Sequence, residues 1–139
     1  MSCRNECQTE QYLSRERSRA RWVASGGAHT IVVDGDSRQG LSPTQHAAIG
    51  LAGCMAADVV DILRKGRHKL TALRVTFTGT RAEQPPRRFL QIELRFDVQG
   101  DVPAEAVERA IALSRDKYCS VWHSFRQDIT LSTTVHLRP

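Results

Sequence analysis

The chain has 139 residues, of which 40% are hydrophobic and 25% are charged, a composition typical of one soluble globular domain. The N-terminal residues lack the apolar stretch of a secretory signal peptide, so we expect a cytoplasmic protein. A net charge of +5 admits nucleic acid as a partner, but the basic residues are spread along the chain and only 6% of residues are aromatic. We therefore expect no binding to nucleic acid.

The first part of the chain is predicted to hold an arm and two strands. Residues 1–18 are polar and rich in Arg, Gln, Glu and Ser, which predicts a flexible arm or a frayed helix. A single domain then spans residues 19–139. Residues 20–23 and 29–33 read as two short strands, because β-favouring residues flank a glycine-containing turn there.

A long helix is predicted to follow these strands. Ser42 and Pro43 mark its start, because serine is favoured at the N-cap and proline at the first helical position. We expect it to end near Lys65, where a basic residue suits the negative end of the helix dipole. Gly66 then suits the left-handed position that follows many helices.

The helix contains the longest apolar run of the chain, residues 47–63. Asp58 and Asp61 interrupt this run, and it is shorter than the roughly 20 residues that cross a bilayer, so we expect no membrane span. A helix that is apolar on nearly every side is a buried helix. Gly50 and Gly53 each cost roughly 1 kcal/mol of helix stability relative to alanine, which predicts that another backbone packs closely against them.

Three further strands and two further helices complete the predicted elements. Apolar residues alternate with polar ones over residues 73–78 and 90–98, which predicts two strands of an antiparallel sheet with one buried face, and a last strand with the same alternation covers residues 129–137. Between the last two strands, one helix begins near Pro103 and a short helical segment covers residues 120–125. Strands, a helix, strands, a helix and a strand in this order indicate an α+β fold.

The four cysteines lie in two kinds of context. Cys3 and Cys7 lie on the polar arm, and no second pair follows at the spacing of a four-ligand zinc site, so we expect two free thiols there. Cys54 lies in the apolar helix and is either a small buried hydrophobe or a reactive thiol. Cys119 precedes the short helical segment, whose dipole favours a thiolate, or it is an ordinary turn cysteine. Cytoplasmic cysteines stay reduced, which permits a catalytic or sensing pair.

The histidines form no recognisable metal motif, and no phosphate-binding loop or serine-nucleophile elbow is present. We therefore expect neither a metal nor another cofactor. His46 lies early in the apolar helix, where it either faces the same cavity as Cys54 or caps the helix at the surface.

Two cysteine-bearing segments resemble the OsmC/Ohr family, the osmotically induced and organic-hydroperoxide-resistance proteins of bacteria, and its YhfA-like branch in particular. The resemblance covers roughly residues 20–138. The motifs that carry it are Ser42-Pro43, Gly53-Cys54-Met55-Ala56-Ala57-Asp58 and Lys117-Tyr118-Cys119-Ser120-Val121. It implies an OsmC-like fold, with antiparallel sheets wrapped around a central cysteine-bearing helix in an intertwined homodimer.

The same resemblance implies a two-cysteine thiol peroxidase of the oxidative stress response. Cys54 is then the peroxidatic residue, which attacks an organic hydroperoxide or hydrogen peroxide and becomes a sulfenic acid. Cys119 resolves this acid as a disulfide, and a dithiol reductant restores both thiols.

The chain departs from the family at two places. Many members carry a glutamate at one of the positions that Thr44 and Gln45 occupy here, and the catalytic arginine of the Ohr branch has no counterpart in residues 26–29. Gln45, His29 and His46 are the candidates for pocket support instead. The alternative to an enzyme is a non-enzymatic dimer that binds a small apolar or thiol-reactive ligand, with the cysteines as a redox sensor or a vestige.

Overall fold

A computed structural model of the chain describes the backbone of residues 8–12, 21–26 and 28–139, and the side chains from residue 28 onward. The chain divides into two compact units, Met1–Ala47 and Ala48–Pro139. Strands and helices are mixed along the chain, so the predicted α+β class is confirmed. The predicted division into an arm, residues 1–18, and a domain, residues 19–139, stays a prediction.

The first unit contains a three-stranded antiparallel sheet. Its strands are β1 (Gln8–Tyr12), β2 (Arg21–Gly26) and β3 (His29–Asp34), in the order β1-β2-β3. The strands β2 and β3 are predicted from the sequence, whereas β1 lies where the sequence predicts an arm or a frayed helix. Its residues are nearly all polar, so no apolar alternation marks it as a strand. The rest of the predicted arm, including both of its cysteines, lies outside the described residues.

A tight loop joins β3 to the long helix. The carboxylate of Asp34, only 4% exposed, accepts hydrogen bonds from the backbone N–H groups of Asp36 (2.9 Å), Arg38 (3.1 Å) and Gln39 (2.8 Å). The backbone N–H of Asp34 donates to the carbonyl of Leu41 at 2.9 Å. These bonds satisfy backbone donors that would otherwise cost free energy on burial.

The long helix α1 (Pro43–Lys65) begins where the sequence predicts. Ser42 and Gln45 form a capping box, in which each residue bonds the backbone of the other. The N–H of Ser42 donates to Oε1 of Gln45 at 2.8 Å, and the N–H of Gln45 donates to Oγ of Ser42 at 3.3 Å. The glutamine therefore holds the first turn of the helix.

The end of α1 differs from the prediction by one residue. Arg67 has the left-handed backbone (φ 60°), whereas the sequence predicts Gly66 there. The N–H of Arg67 donates to the carbonyl of Arg64, and the N–H of His68 donates to that of Leu63, which is the Schellman arrangement. The prediction is wrong because Gly66 still closes the last helical turn through its bond to Ile62.

Only one face of α1 is buried within this chain. Buried residues recur at helical spacing, namely Ala48, Leu51, Met55, Val59 and Leu63. On the other side, Ile49 is 55% exposed, and a Cβ built on Gly50 or Gly53 would have no neighbour within 4 Å among the residues that the structure describes. The prediction of a helix buried all round, with a backbone close to both glycines, is therefore wrong for the single chain.

The helix of 23 residues is long and apolar enough to cross a membrane by length and composition alone. That test is also passed by the core helices of soluble proteins. Leu51, Met55, Val59 and Leu63 belong to the hydrophobic core of the second unit, so we interpret α1 as a core helix.

The second unit holds a mixed three-stranded sheet. Strands β4 (Lys69–Arg81) and β5 (Phe89–Asp101) are antiparallel, as predicted, but β6 (Thr130–Arg138) pairs with β5 in parallel. The antiparallel pairing predicted for the first two of these strands is confirmed, whereas the parallel pairing of β6 departs from the antiparallel sheets that the resemblance implies. The connection from β5 to β6 contains helices that carry the chain back to the opposite end of the sheet, so the two strands run the same way.

That connection contains α2 (Ala104–Leu113), one π-helical turn (Ser114–Tyr118) and the short helix α3 (Ser120–Ser124). One face of β5 packs with α1 and α2 in a single hydrophobic core. The fully buried side chains of that strand face are Ile92, Leu94, Phe96 and Val98.

Replacing Leu94 by alanine is expected to lower the free energy of unfolding by about 2–5 kcal/mol, because a fully buried leucine loses its contacts and leaves a cavity. Leu90 on the same strand is 38% exposed, and the same change there is expected to cost less than about 1 kcal/mol. Urea denaturation of both variants checks this. Equal losses would contradict the assignment of the core face of β5.

Candidate active site

Two thiols and a carboxylate converge in the second unit. Cys54 and Asp58 lie one helical turn apart on α1, and Cys119 lies between the π-helical turn and α3. The two sulfur atoms and one carboxylate oxygen all lie within 4.8 Å of one another. Cys54 and Asp58 are half-buried, while Cys119 is fully buried.

A hydrogen bond between two segments orders this cluster. Oγ of Ser114, which is fully buried, donates to Oδ2 of Asp58 at 2.7 Å. The N–H of Cys119 donates to the carbonyl of Ser114 at 2.8 Å, five residues back as in a π-helix. Ser114 therefore connects the segment of Cys119 to the helix of Cys54.

Cys119 is the N-cap of α3, as the sequence predicts. Its sulfur accepts a hydrogen bond from the backbone N–H of Trp122 at 3.3 Å. Burial nevertheless raises the pKa of the Cys119 thiol from its ordinary 9.0 to about 11. The bond from Trp122 opposes this rise, and the neighbouring Cys54 adds to it. The expectation that the helix end favours a thiolate is wrong here, because desolvation outweighs the hydrogen bond.

Nearby cations are paired with groups other than the cluster. Arg115 bonds Asp116 at 2.7 Å, and Lys65 bonds Asp61 at 2.6 Å. Among residues 28–139, no lysine, arginine or histidine forms an ion pair with Asp58. Its carboxylate therefore faces two thiols and a neutral hydroxyl.

A groove of about 360 Å³ leads to the carboxylate of Asp58. Both polar and apolar side chains line it: Asp58, Asp61, Ile62, Lys65, Leu113 and Tyr118. Leu113 and Tyr118 are 37% and 51% exposed. The groove gives a small molecule with an apolar part access to Asp58, which in turn neighbours both sulfur atoms.

The other predicted site residues lie in the first unit. His29 is exposed on β3, and Gln45 accepts the capping bond from Ser42 described above. Nδ1 of His46 lies 2.9 Å from the carbonyl of Ser42, which fits the interpretation of a capping histidine. Their support of a pocket stays a prediction.

Sequence reasoning missed Asp58 and Ser114 as members of the site. Asp58 follows Cys54 by four residues, so the two share one face of a helix, and this spacing is a signal that the sequence carries. Ser114 continues the buried face of α2, but only the structure reveals that its hydroxyl reaches Asp58.

Comparisons with known proteins place the chain in a family. The sequence model of the family described as "OsmC-like protein" matches residues 34–134. The chain belongs to the OsmC-like family. It is 40% identical to Protein YhfA of Escherichia coli strain K12 over 114 residues, which cover 76% of this chain and 85% of that protein. The predicted family and its YhfA-like branch are thereby confirmed.

Solved structures share the OsmC-like fold along nearly the whole chain. A hypothetical protein from Aquifex aeolicus VF5 is 26% identical, with a TM-score of 0.82 over 95% of this chain and 96% of that chain. A Legionella pneumophila structure, titled an organic hydroperoxide resistance protein OsmC, has a TM-score of 0.72 at 13% identity. It covers 97% of this chain and 99% of that chain. The chain therefore has an OsmC-like fold.

Cys119 is expected to titrate above pH 9 in a full-length variant in which Cys3, Cys7 and Cys54 are serine. Burial is the largest cause of its raised pKa, and it remains when Cys54 is replaced. Ultraviolet absorbance of the thiolate against pH measures the midpoint. Because folding raises the pKa, this thiol stabilises the folded state below pH 9, and that contribution is lost as the pH rises from 9 towards 11. A midpoint below pH 8 would contradict the assignment.

Proposed function

We propose that this OsmC-like protein is a thiol-dependent peroxidase that reduces organic hydroperoxides and also hydrogen peroxide. Cys54 is the peroxidatic residue and Cys119 the resolving residue. One observation carries the proposal: the two sulfur atoms lie within 4.8 Å of each other, and both are free thiols. A side-chain rotation can bring them to the S–S bond length of about 2.05 Å.

The roles of the two cysteines follow from their exposure. Cys54 is half-buried and lies next to the carboxylate that lines the groove, whereas Cys119 is fully buried. A hydroperoxide therefore meets Cys54 first. Cys119, whose pKa is raised to about 11, stays protonated at neutral pH and is the poorer nucleophile towards peroxide.

The first step oxidises Cys54. Asp58 takes the thiol proton, and the sulfur attacks the terminal peroxide oxygen. An S–O bond forms as the O–O bond breaks, and two electrons pass from sulfur to the peroxide. The departing alkoxide takes the proton from Asp58 and leaves as an alcohol, so the carboxylate is restored. General-base catalysis of this kind typically contributes about 100-fold or more to a rate.

The second step resolves the sulfenic acid. The sulfur of Cys119 attacks the sulfur of Cys54, an S–S bond forms, and the hydroxyl leaves as water with the Cys119 proton. A dithiol then reduces the disulfide by exchange and is itself oxidised. Solved relatives support the substrate class, since several carry titles such as organic hydroperoxide resistance protein. We place the protein in the cytoplasm of a bacterium, where reduced dithiols are supplied.

We also propose that the protein is an intertwined homodimer. The face of α1 that carries Ile49, Gly50 and Gly53 is exposed in the single chain, although it lies on an apolar helix. Glycines with open space above them let another backbone approach closely. A second copy of the chain is the partner that covers this face.

A second candidate function has its own supporting observation. Among the described residues, no cation is paired with the cluster, and the pKa of Cys119 is raised rather than lowered. Thiols in such surroundings react slowly. A dimer that binds a small apolar or thiol-reactive ligand, with the cysteines as a redox sensor or a vestige, accounts for this equally well.

Replacing Cys54 by serine is expected to abolish consumption of cumene hydroperoxide in the presence of a dithiol. Replacing Cys119 by serine is expected to permit one oxidation of Cys54 to a sulfenic acid but no disulfide. Peroxide loss and mass spectrometry of the cysteines measure both. Peroxide-dependent turnover that survives in the Cys54→Ser variant would contradict the proposal, and so would a wild-type protein that forms no Cys54–Cys119 disulfide.

The variant Asp58→Asn tests whether Asp58 transfers a proton or only holds the two sulfur atoms in position. It is expected to slow peroxide loss by about 100-fold, because the proton acceptor is removed. Disulfide formation by the thiol oxidant diamide should stay close to the wild-type rate. If both reactions slow equally, Asp58 holds the geometry instead of moving a proton.

Replacing Gly53 by glutamine is expected to convert a dimer into a monomer. In the described part of the single chain, a Cβ at Gly53 meets no atom within 4 Å, whereas a backbone packed against Gly53 in the dimer would leave no room for a side chain. Light scattering after size exclusion measures the mass, and Lys65→Gln, an exposed change on the same helix, serves as the control. A wild-type monomer, or a dimer that tolerates the glutamine, would contradict the proposed interface.

A further inference from the structure

We propose that the reduced cluster of Cys54, Asp58 and Cys119 is also a binding site for a thiophilic divalent cation with a filled d shell, Zn²⁺ or Cd²⁺. The site has three protein ligands and leaves one position open for water. The bound cation would regulate the proposed peroxidase site, and only this regulatory effect rests on the proposed function. Binding of the cation itself requires no peroxide chemistry.

The first argument is the geometry of the donor atoms. Two sulfur atoms and one carboxylate oxygen lie within 4.8 Å of one another. In a tetrahedral zinc site with Zn–S bonds of about 2.3 Å, sulfur ligands stand about 3.8 Å apart. The three donors therefore need to close by about 1 Å or less. Cys54, the half-buried member, supplies this movement by rotation of its side chain.

The second argument is the support behind the ligands. Ser114 donates a hydrogen bond to Oδ2 of Asp58 at 2.7 Å, which fixes the orientation of the carboxylate. The N–H of Trp122 donates a hydrogen bond to the sulfur of Cys119 at 3.3 Å, which orients that sulfur. Metal ligands in proteins are commonly oriented by such outer hydrogen bonds, whose loss typically weakens metal binding about 10–100-fold.

The third argument is charge. A carboxylate beside two thiols has, among residues 28–139, no ion-pair partner from a lysine, arginine or histidine. A divalent cation would balance the charge of Asp58, and its binding would release the protons of both thiols. The groove that Asp58 lines gives the cation a path from solvent.

Metal binding and oxidation then exclude each other. Binding of M²⁺ releases two thiol protons. A hydroperoxide that oxidises the metal-bound pair consumes two protons and gives the disulfide, an alcohol, water and free M²⁺, with two electrons passing from sulfur to the peroxide. A disulfide has no thiolate to offer, so the oxidised protein does not hold the cation.

The experiment uses the full-length chain with Cys3 and Cys7 replaced by serine, so that the arm contributes no thiols. The reduced protein is titrated anaerobically with Cd²⁺, and the sulfur-to-cadmium charge-transfer absorbance reports thiolate ligation. Competition with a chromophoric chelator gives the affinity for Zn²⁺. We expect one ion per chain, and no binding after oxidation by diamide.

Four variants in this background distinguish a preorganised metal site from nonspecific metal binding by thiols. Cys119→Ser should lose at least 100-fold in affinity, Asp58→Asn at least 10-fold, and Ser114→Ala about 10-fold through its effect on Asp58. Glu108→Gln, which removes an exposed carboxylate on α2, should bind as the reference does. Circular dichroism checks the fold of each variant, and Ser114→Ala keeps the test of Asp58 possible if Asp58→Asn does not fold.

Absent binding by the reduced protein would overturn the proposal. Equal affinity of the Asp58→Asn and Ser114→Ala variants with the reference would overturn it too, because the carboxylate would then not be a ligand. The titration contains no peroxide, so its outcome is independent of turnover. A protein that binds the cation without reducing peroxide contradicts only the proposed function, and an active peroxidase that binds no cation contradicts only this inference.

Discussion

The hydrogen bond from Ser114 to Asp58 is the interaction on which the arrangement of the site depends. It joins the connection between β5 and β6 to α1, and it satisfies the fully buried hydroxyl of Ser114, which would otherwise be poorly solvated. The π-helical turn that starts at Ser114 also receives the backbone bond from Cys119. One residue thus sets the position of the Cys119 sulfur and the orientation of the carboxylate. Elsewhere the core is held by apolar packing, which fills the interior but does not orient individual polar groups, because the hydrophobic effect is not directional.

Burial and charge act in opposite directions on this cluster. The core that encloses Cys119 raises its pKa, and the backbone N–H groups of Trp122 and Val121 do not offset that cost. Asp58 adds negative charge beside Cys54 instead of the positive charge that a thiolate needs. Two chemical events relieve this unfavourable combination of burial and negative charge. A proton moves between sulfur and carboxylate, or a divalent cation enters and balances two of the three negative charges that the two thiolates and the carboxylate carry.

Much of the fold follows from local sequence signals. Ser42 and Pro43 mark the start of α1, and the alternation along β5 is clear from residue types alone. The polar strand β1 has no such signal, and the parallel pairing of β6 depends on tertiary contacts that no local pattern encodes. Both cysteines are visible in the sequence, whereas Asp58 reads there as an interruption of an apolar run. Its function as a site residue emerges only when the turn at Ser114 brings a hydroxyl to it.

The parallel pairing of β5 with β6 has a consequence for how the two thiols come together. Ser114 and Cys119 both lie in the crossover between these strands, and parallel strands need such a long crossover because no tight turn can join them. Cys54 lies on a helix that precedes both strands. Only the tertiary fold therefore brings the two thiols together, so a disulfide between them would report that the second unit is folded.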